Sequence, residues 1–429
     1  MISDHPLRYA LANELHARPF PALSAPSFAA YIAIKREADA ARRDRDLDRA
    51  HLIALLDRFG AAHPQPDATH YFATIGKHQL KWESHAEFVT YTIFGQGNAA
   101  RPFDPARFDV FPADWLAEAP GVRVTSALIR IEAWKSDAQA RALIDEWFVP
   151  ESLAAANVLD EHALIASDFR IDAGGHMRMA LFARPACGQR RIGRVVQRLC
   201  EIETYKAMSM LGLMRVRDLS PQMGRLDVRL SALVEAMSAP NQSSISQPDA
   251  ALAELLTISA ELEHLATRSS FRFGATGAYE AIVTARVAAL REARFEGRQT
   301  FAEFMSRRYD PAMRTVKSSE RQLKDLGERA MRAADLLRTR VDVERSAENQ
   351  ALLASMDKRA DLQLRLQRTV EGLSVVAISY YAVSLAAYLA YPMTEVLHLS
   401  KGKLTAALVL PVVGIVWLAM HRIKRGIER

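Results

Sequence analysis

The sequence predicts an α+β body that passes into a long helical stalk and ends in two transmembrane helices, mostly α overall. Three observations lead there. Two long uncharged apolar segments lie close to the C-terminus, and strand-like runs rich in aromatic and β-branched residues are confined to the part before Arg190. Between them, a charged tract from Met313 onward has no proline before Pro392 and repeats its apolar residues every seven positions. The expected organisation is a cytoplasmic α/β or α+β head over 1–190, a helical region over 191–312 and a stalk over 313–371. A first span follows over 372–391, then a short outside loop over 392–403, a second span over 404–420 and a basic cytoplasmic tail over 421–429.

In the head, Phe28 to His51 reads as a highly charged helix through KREADAARRDRDLDRAH. Two strands are expected next, HYFATIG around Tyr71 and Phe72, and KWESHAEFVTYTIFG from Lys81 to Gly95. In the second, period-two alternation groups Trp82, Ala86 and Phe88 on one face, with Lys81, Glu83, His85 and Glu87 on the other. Val122 to Trp134 and Ala180 to Phe182 supply further strand candidates, separated by breaks at Arg101 to Pro105 and Gly174–Gly175.

Beyond Arg190 the pattern turns helical: Val195, Leu199, Ile202 and Tyr205 recur at helical spacing. Ser220–Pro221 reads as the N-cap and first-turn proline of a new helix, and PNQSSISQPD from Pro240 to Asp249 as a surface loop. One more helix, a FRFGATGAY turn and another helix are expected before the stalk. In the stalk, Val316, Leu323, Ala330 and Leu337, with Leu326 and Ala333 as companions, form a short coiled-coil stripe. Its register shifts near Val341 and resumes with Leu352, Met356, Leu362 and Leu366, and the helix is expected to run on into the first span.

That span, Gly372 to Tyr391, is twenty residues without a charge; at about 1.5 Å per residue it reaches roughly 30 Å, a bilayer's hydrocarbon thickness. Leu404 to Met420 is shorter, contains Pro411 and carries Trp417 at a position suited to an interface. The competing reading is a buried helical hairpin of a soluble protein. Lys358, Arg359, Arg365 and Arg368 precede the first span and Arg422, Lys424, Arg425 and Arg429 follow the second, against Lys401 and Lys403 between them. The positive-inside rule then places both termini in the cytoplasm of a multi-pass protein of the cell inner membrane.

Composition narrows the function classes. With 429 residues, 49% hydrophobic and 25% charged, the chain has enough apolar material for a substantial core. A net charge of +6 is modest and owes part of its excess to arginines near the membrane end, so no nucleic-acid partner is expected. Two cysteines, Cys187 and Cys200, without CxxC spacing build neither a disulfide framework nor a zinc site. Asp4, His5 and Arg8 stand where a signal peptide would need its apolar core, so the head is expected to stay cytoplasmic.

The strings HPLRYALANELHARPF, LKWESHAEFVTYTIF and LQLRLQRTVEGLSVVAISYY resemble signatures of a bacterial family of uncharacterised membrane-anchored proteins, a domain of unknown function. The resemblance spans nearly the whole chain and implies no activity. The architecture also resembles that of CorA-type magnesium channels: a cytoplasmic head, a stalk helix entering the first of two spans, a short outside loop and a basic tail. Those channels carry Gly-Met-Asn after a tyrosine at the outer end of the first span. Here the comparable place reads Tyr391–Pro392–Met393–Thr394, a departure at the residues that would meet the hydrated ion.

Candidate chemistry is sparse. Ser374, Ala377, Tyr381, Ser384, Tyr388 and Tyr391 share one face of the first span. With Met393 and Thr394 they are the candidate pore lining of an oligomer; the competing reading is helix packing by small and polar residues. Neither span contains an acid, lysine, arginine or histidine, which argues against a proton-coupled carrier. Glu83, His85 and Glu87 are candidate ligands for a divalent cation, with Glu14 and His16 as outlying additions, against the reading of a solvated strand face. No cofactor is otherwise expected. Gly274-Ala-Thr-Gly277 could present amides to a phosphate or simply be a tight turn. The arginines around Arg307–Arg308 and Arg338–Arg340, interleaved with acids, read as a solvated helical face.

No GxSxG and no telling Cys–His spacing occur, so no enzyme is expected. Two functions remain. In one, a non-enzymatic, homo-oligomeric scaffold sits in the lipid bilayer and binds a cytoplasmic protein partner. The alternative is a CorA-like oligomeric divalent-cation channel.

Overall fold

The computed structural model describes residues 4–14, 20–238, 248–392 and 400–427. The chain divides into two compact units. The first comprises Met1–Ser246 and Ala253–Ala333, the second Gln247–Leu252 and Ala334–Arg429. The expected head, and the helical region apart from residues 247–252, therefore fall in the first unit.

After a short helix α1 (Arg8–Glu14), the first unit builds a nine-stranded sheet. Its strands are β1 (Ser27–Lys35), β2 (His70–Ile75), β3 (His78–Ser84), β4 (Phe88–Gln96) and β5 (Val122–Ala133). They continue with β6 (Ala154–Val158), β7 (Ala163–Ile171), β8 (Met177–Ala183) and β9 (Ala293–Arg294). The spatial order is β2-β3-β4-β1-β5-β8-β7-β6-β9. Neighbours run antiparallel except β5 and β8, which are parallel.

The expected helix from Phe28 is corrected here. Phe28 to Lys35 lies in a central strand, buried along its whole length between β4 and β5. A strand covered on both faces reads as a continuous apolar run, which periodicity alone does not separate from a helix. The helix begins only at Arg45, where Asp44 accepts a hydrogen bond from the Asp46 amide, and runs to Arg58 as α2. The single strand expected from Lys81 to Gly95 is likewise two strands, broken at His85–Glu87.

One sheet face packs against α2, α3 (Ala113–Ala117) and α4 (Asp137–Trp147). This core contains Leu52, Leu55, Trp82, Tyr91, Trp115 and Ile144, all nearly inaccessible. His51 sits within it. Its Nε2–H donates to the Trp115 carbonyl (2.9 Å), its Nδ1 accepts from the Tyr91 hydroxyl (3.1 Å), and the ring stacks on Trp115. The other face is covered by α5 (Gln189–Ser238), whose Ile192, Val195, Leu199 and Ile202 are buried.

α5 continues beyond the sheet and packs with α6 (Pro248–Ala288) and the first turns of α8 (Asp310–Leu389); the short α7 (Phe301–Arg308) precedes α8. Two expected breaks are absent. Pro221 lies inside α5; the Ser220 hydroxyl donates to the Val216 carbonyl (2.8 Å), and Arg217, whose carbonyl loses its amide partner, is exposed. FRFGATGAY lies inside α6. Glycine weakens a helix by only about 1 kcal/mol, a cost that packing overrides. The close approach is at Gly212 of α5, where a Cβ would stand 2.3 Å from the Thr276 hydroxyl oxygen of α6.

Val316, Leu323, Leu326, Ala330 and Ala333 are buried within this unit, where Lys317 pairs with Glu280 and Arg329 with Asp227. The part of the coiled-coil stripe from Val316 to Ala333 is thus covered by helices of its own unit. In the second unit, the rest of α8 and α9 (Lys401–Ile427, with Pro411 inside) are continuous helices. Each contains a window apolar enough to cross a membrane, with mean hydropathy 1.6 and 2.1. The loop from Pro240 lies almost wholly outside the described residues.

Candidate functional site

The site follows from period-two alternation on the sheet face beneath α5. On β3, Leu80 and Trp82 enter the core while Lys81 and Glu83 point the other way; on β4, Val89, Tyr91 and Ile93 alternate in the same manner with Thr90 and Thr92. The register sets Lys81 opposite Thr92, and Thr92 opposite Tyr31 of β1. Glu83 stands opposite Thr90 one rung along. A helix-covered face is ordinarily apolar, because burying a polar group without a partner is costly. Here five polar side chains occupy adjacent positions, and α5 spans them over a cavity of about 350 Å³.

The cavity is polar on both walls. The Lys81 ammonium lies 3.0 Å from Glu83, with both side chains largely buried. From α5, Gln197 donates to Glu201 (2.8 Å), which also pairs with Arg286 of α6. The Gln197 side-chain oxygen is buried and has no hydrogen-bond partner among the described residues. The Thr204 hydroxyl donates to the Cys200 carbonyl (2.9 Å), so it accepts the proton of Tyr31. Burial, more than any neighbouring charge, pushes the Tyr31 phenol and the Cys200 thiol far above their ordinary values. Cys200 is therefore a protonated thiol at neutral pH, a poor nucleophile.

Aromatic rings also line the cavity. His85 stacks on Phe88 with centroids 4.4 Å apart, and Tyr205 stands edge-on to both at 6.2 and 6.0 Å. Beyond Tyr205 lies Tyr279, and a second, more open cavity of about 370 Å³ borders the same rings.

The turn carrying His85 and Glu87 is held from two sides. Arg43, whose side chain is 2% exposed, pairs with Asp48 at 2.6 Å and donates to the carbonyls of His85 (2.7 Å), Ala86 (2.5 Å) and Phe88 (3.2 Å). On the other side Glu87, fully buried, accepts two bonds from Arg272 and one from Tyr279 (2.8 Å). Burial, reinforced by that bond to Glu87, pushes the Tyr279 hydroxyl up.

The structure places the three candidate metal ligands on different elements. Glu83 is on β3, whereas His85 and Glu87 belong to the turn, so the three do not line one strand face. The Glu87 carboxylate is committed to Arg272 and Tyr279. Among the described residues no three His, Cys, Asp or Glu side chains gather as metal ligands. His16 lies outside the described residues. The glycines of Gly274-Ala-Thr-Gly277 are helical, so their amides serve the helix rather than a phosphate.

In the second unit the pore candidates separate. Ser374 and Ser384 are half-buried, Tyr381, Tyr388 and Tyr391 are exposed, and Met393 and Thr394 lie outside the described residues. Sequence reasoning passed over Ser379, which is buried and whose hydroxyl has no partner among the described residues. It also missed the Lys81–Thr92–Tyr31 row. The alternation of Lys81 and Glu83 was the available signal, but it matches that of a solvated face.

A family model described as a protein of unknown function (DUF3422) matches residues 3–427. No curated protein and no solved structure matches the chain.

Proposed function

The chain belongs to the DUF3422 family of proteins of unknown function, and from that premise we propose a non-enzymatic, membrane-anchored oligomeric scaffold. Its first unit is the cytoplasmic, partner-binding part, and its two C-terminal helices are the anchor in the inner membrane. The observation that carries this reading is that the apolar windows of α8 and α9 are only 6% buried within the chain. Side chains such as Leu389, Leu410 and Ile415 are largely exposed. In water, apolar surface of this extent is costly at about 25 cal/mol per Å²; a bilayer covers it. The basic residues flanking the pair support a cytoplasmic placement of both ends.

Oligomer formation is supported by the part of α8 before the span. Leu352, Met356, Leu366 and Val370 fall on one side of the helix at 3.6 residues per turn, and all are more than half exposed. A second copy of the same helix covers such a stripe. The buried polar groups of the first unit support a non-enzymatic role. Arg43, Asp48, Glu87 and Arg272 hold structural elements together, and Cys200 is inert. The test is native mass spectrometry of the full chain released from nanodiscs: two or more copies are expected, and a monomer at every protein concentration overturns the oligomeric reading.

One observation favours the channel reading. Tyr381 and Tyr388 are largely exposed within the chain, and a phenol facing hydrocarbon has no hydrogen-bond partner. Lining a hydrated path between copies would satisfy them.

A further inference from the structure

We propose that the cavity beneath α5 is a binding site for a small organic carboxylate with an apolar or aromatic body. This goes beyond the scaffold reading and does not depend on it. The volume, about 350 Å³, lies at the lower end of the range for small-molecule pockets, roughly 300–1,000 Å³. The choice of an anion rests on Lys81. An ammonium has three donors, and among the described residues its charge has one ion-pair partner, Glu83 at 3.0 Å. Opposite it, Thr92 and neighbouring Thr90 are 6% and 5% exposed. Neither hydroxyl has a protein hydrogen-bond partner among the described residues, and both line the cavity.

A carboxylate beside Lys81 would accept from the ammonium and from Thr92, satisfying groups the fold buries and leaves incomplete. The apolar body has its own surface, since Phe88, Phe94, Val196 and Tyr205 line the same cavity. A structural role alone does not account for the arrangement. A Lys–Glu pair that merely filled a core would be packed around, whereas these two face open volume.

The probe is 4-(trifluoromethyl)benzoate, followed by fluorine NMR on the full chain in nanodiscs of zwitterionic lipid. Empty nanodiscs and the uncharged 4-(trifluoromethyl)benzyl alcohol serve as references. Saturable binding of the benzoate is expected, at least tenfold tighter than that of the alcohol. Lys81→Met should weaken it at least tenfold and Thr92→Val roughly threefold. Thr92→Val, close in shape, decides the matter if Lys81→Met does not fold as judged by its urea midpoint. The proposal is overturned if the benzoate behaves as in empty nanodiscs, if the alcohol binds equally well, or if the folded variants bind as tightly as the parent.

Discussion

Replacing Arg43 with methionine isolates the contact that fixes the β3–β4 turn. The guanidinium is 2% exposed and neutralises Asp48, itself 5% exposed, while donating to three carbonyls of the turn. Methionine fills similar volume but leaves a buried carboxylate without its cation, a loss of about 3–5 kcal/mol. With a urea slope of about 3 kcal/mol/M for a unit of this size, the unfolding midpoint should fall by about 1–2 M. Tryptophan emission reports it, because Trp82, Trp115, Trp134 and Trp147 lie in the first unit. The loss should depend on pH with a definite sign. Burial raises the Asp48 carboxyl above its ordinary value despite Arg43. Its stabilising contribution is therefore full at low pH and lost as pH rises through the folded value. The Arg43→Met defect should accordingly shrink on acidification, and adding Asp48→Asn should restore at least half of it at neutral pH. A midpoint loss equivalent to less than about 1 kcal/mol, or a double variant no more stable than the single one, refutes the assignment.

Two other outcomes follow from named groups. His51, His78 and His176 are all lowered below 6.5, mainly by burial. Their stabilisation is complete above that value and is lost as pH falls toward the lowered folded values, so the urea midpoint should drop between pH 7.5 and 5.5. His51→Gln, which keeps a donor and an acceptor, should flatten that slope, and an unchanged slope counts against the assignment. If the channel reading holds, Ser384→Leu should cut magnesium, cobalt or nickel flux into proteoliposomes severalfold while Val383→Leu leaves it near the parent rate. No flux above empty liposomes from the unmodified chain removes that reading.

The long elements were legible because their signals accumulate over many residues. The proline-free tract predicted the continuous α8, and the uncharged runs predicted the two apolar helices. Strands β2, β5 and β8 were legible from their aromatic and β-branched content. What failed was local. Phe28–Ile34 is apolar on both faces, which erases the alternation that marks a strand. Pro221 and Gly274 are helix breakers in isolation, yet tertiary packing holds both inside helices. The break at His85–Glu87 depends on Arg43 and Arg272, from distant parts of the chain, and no local pattern encodes them. The same limit hid the cavity: alternation showed that Lys81 and Glu83 share a face, while their burial came from α5, more than a hundred positions later.

The central claim, a chain anchored by a C-terminal helical hairpin with both ends in the cytoplasm, is tested most directly by cysteine accessibility in intact cells. Cys187 and Cys200 are 7% and 6% exposed, so their background labelling by a membrane-impermeant maleimide should be low. Lys403→Cys, before the second span, should react without permeabilisation, whereas Arg422→Cys, just after it, should react only once the membrane is opened. Protection at 403 with labelling at 422 reverses the topology. Equal reactivity of both sites with the chain recovered in the soluble fraction contradicts a membrane anchor altogether.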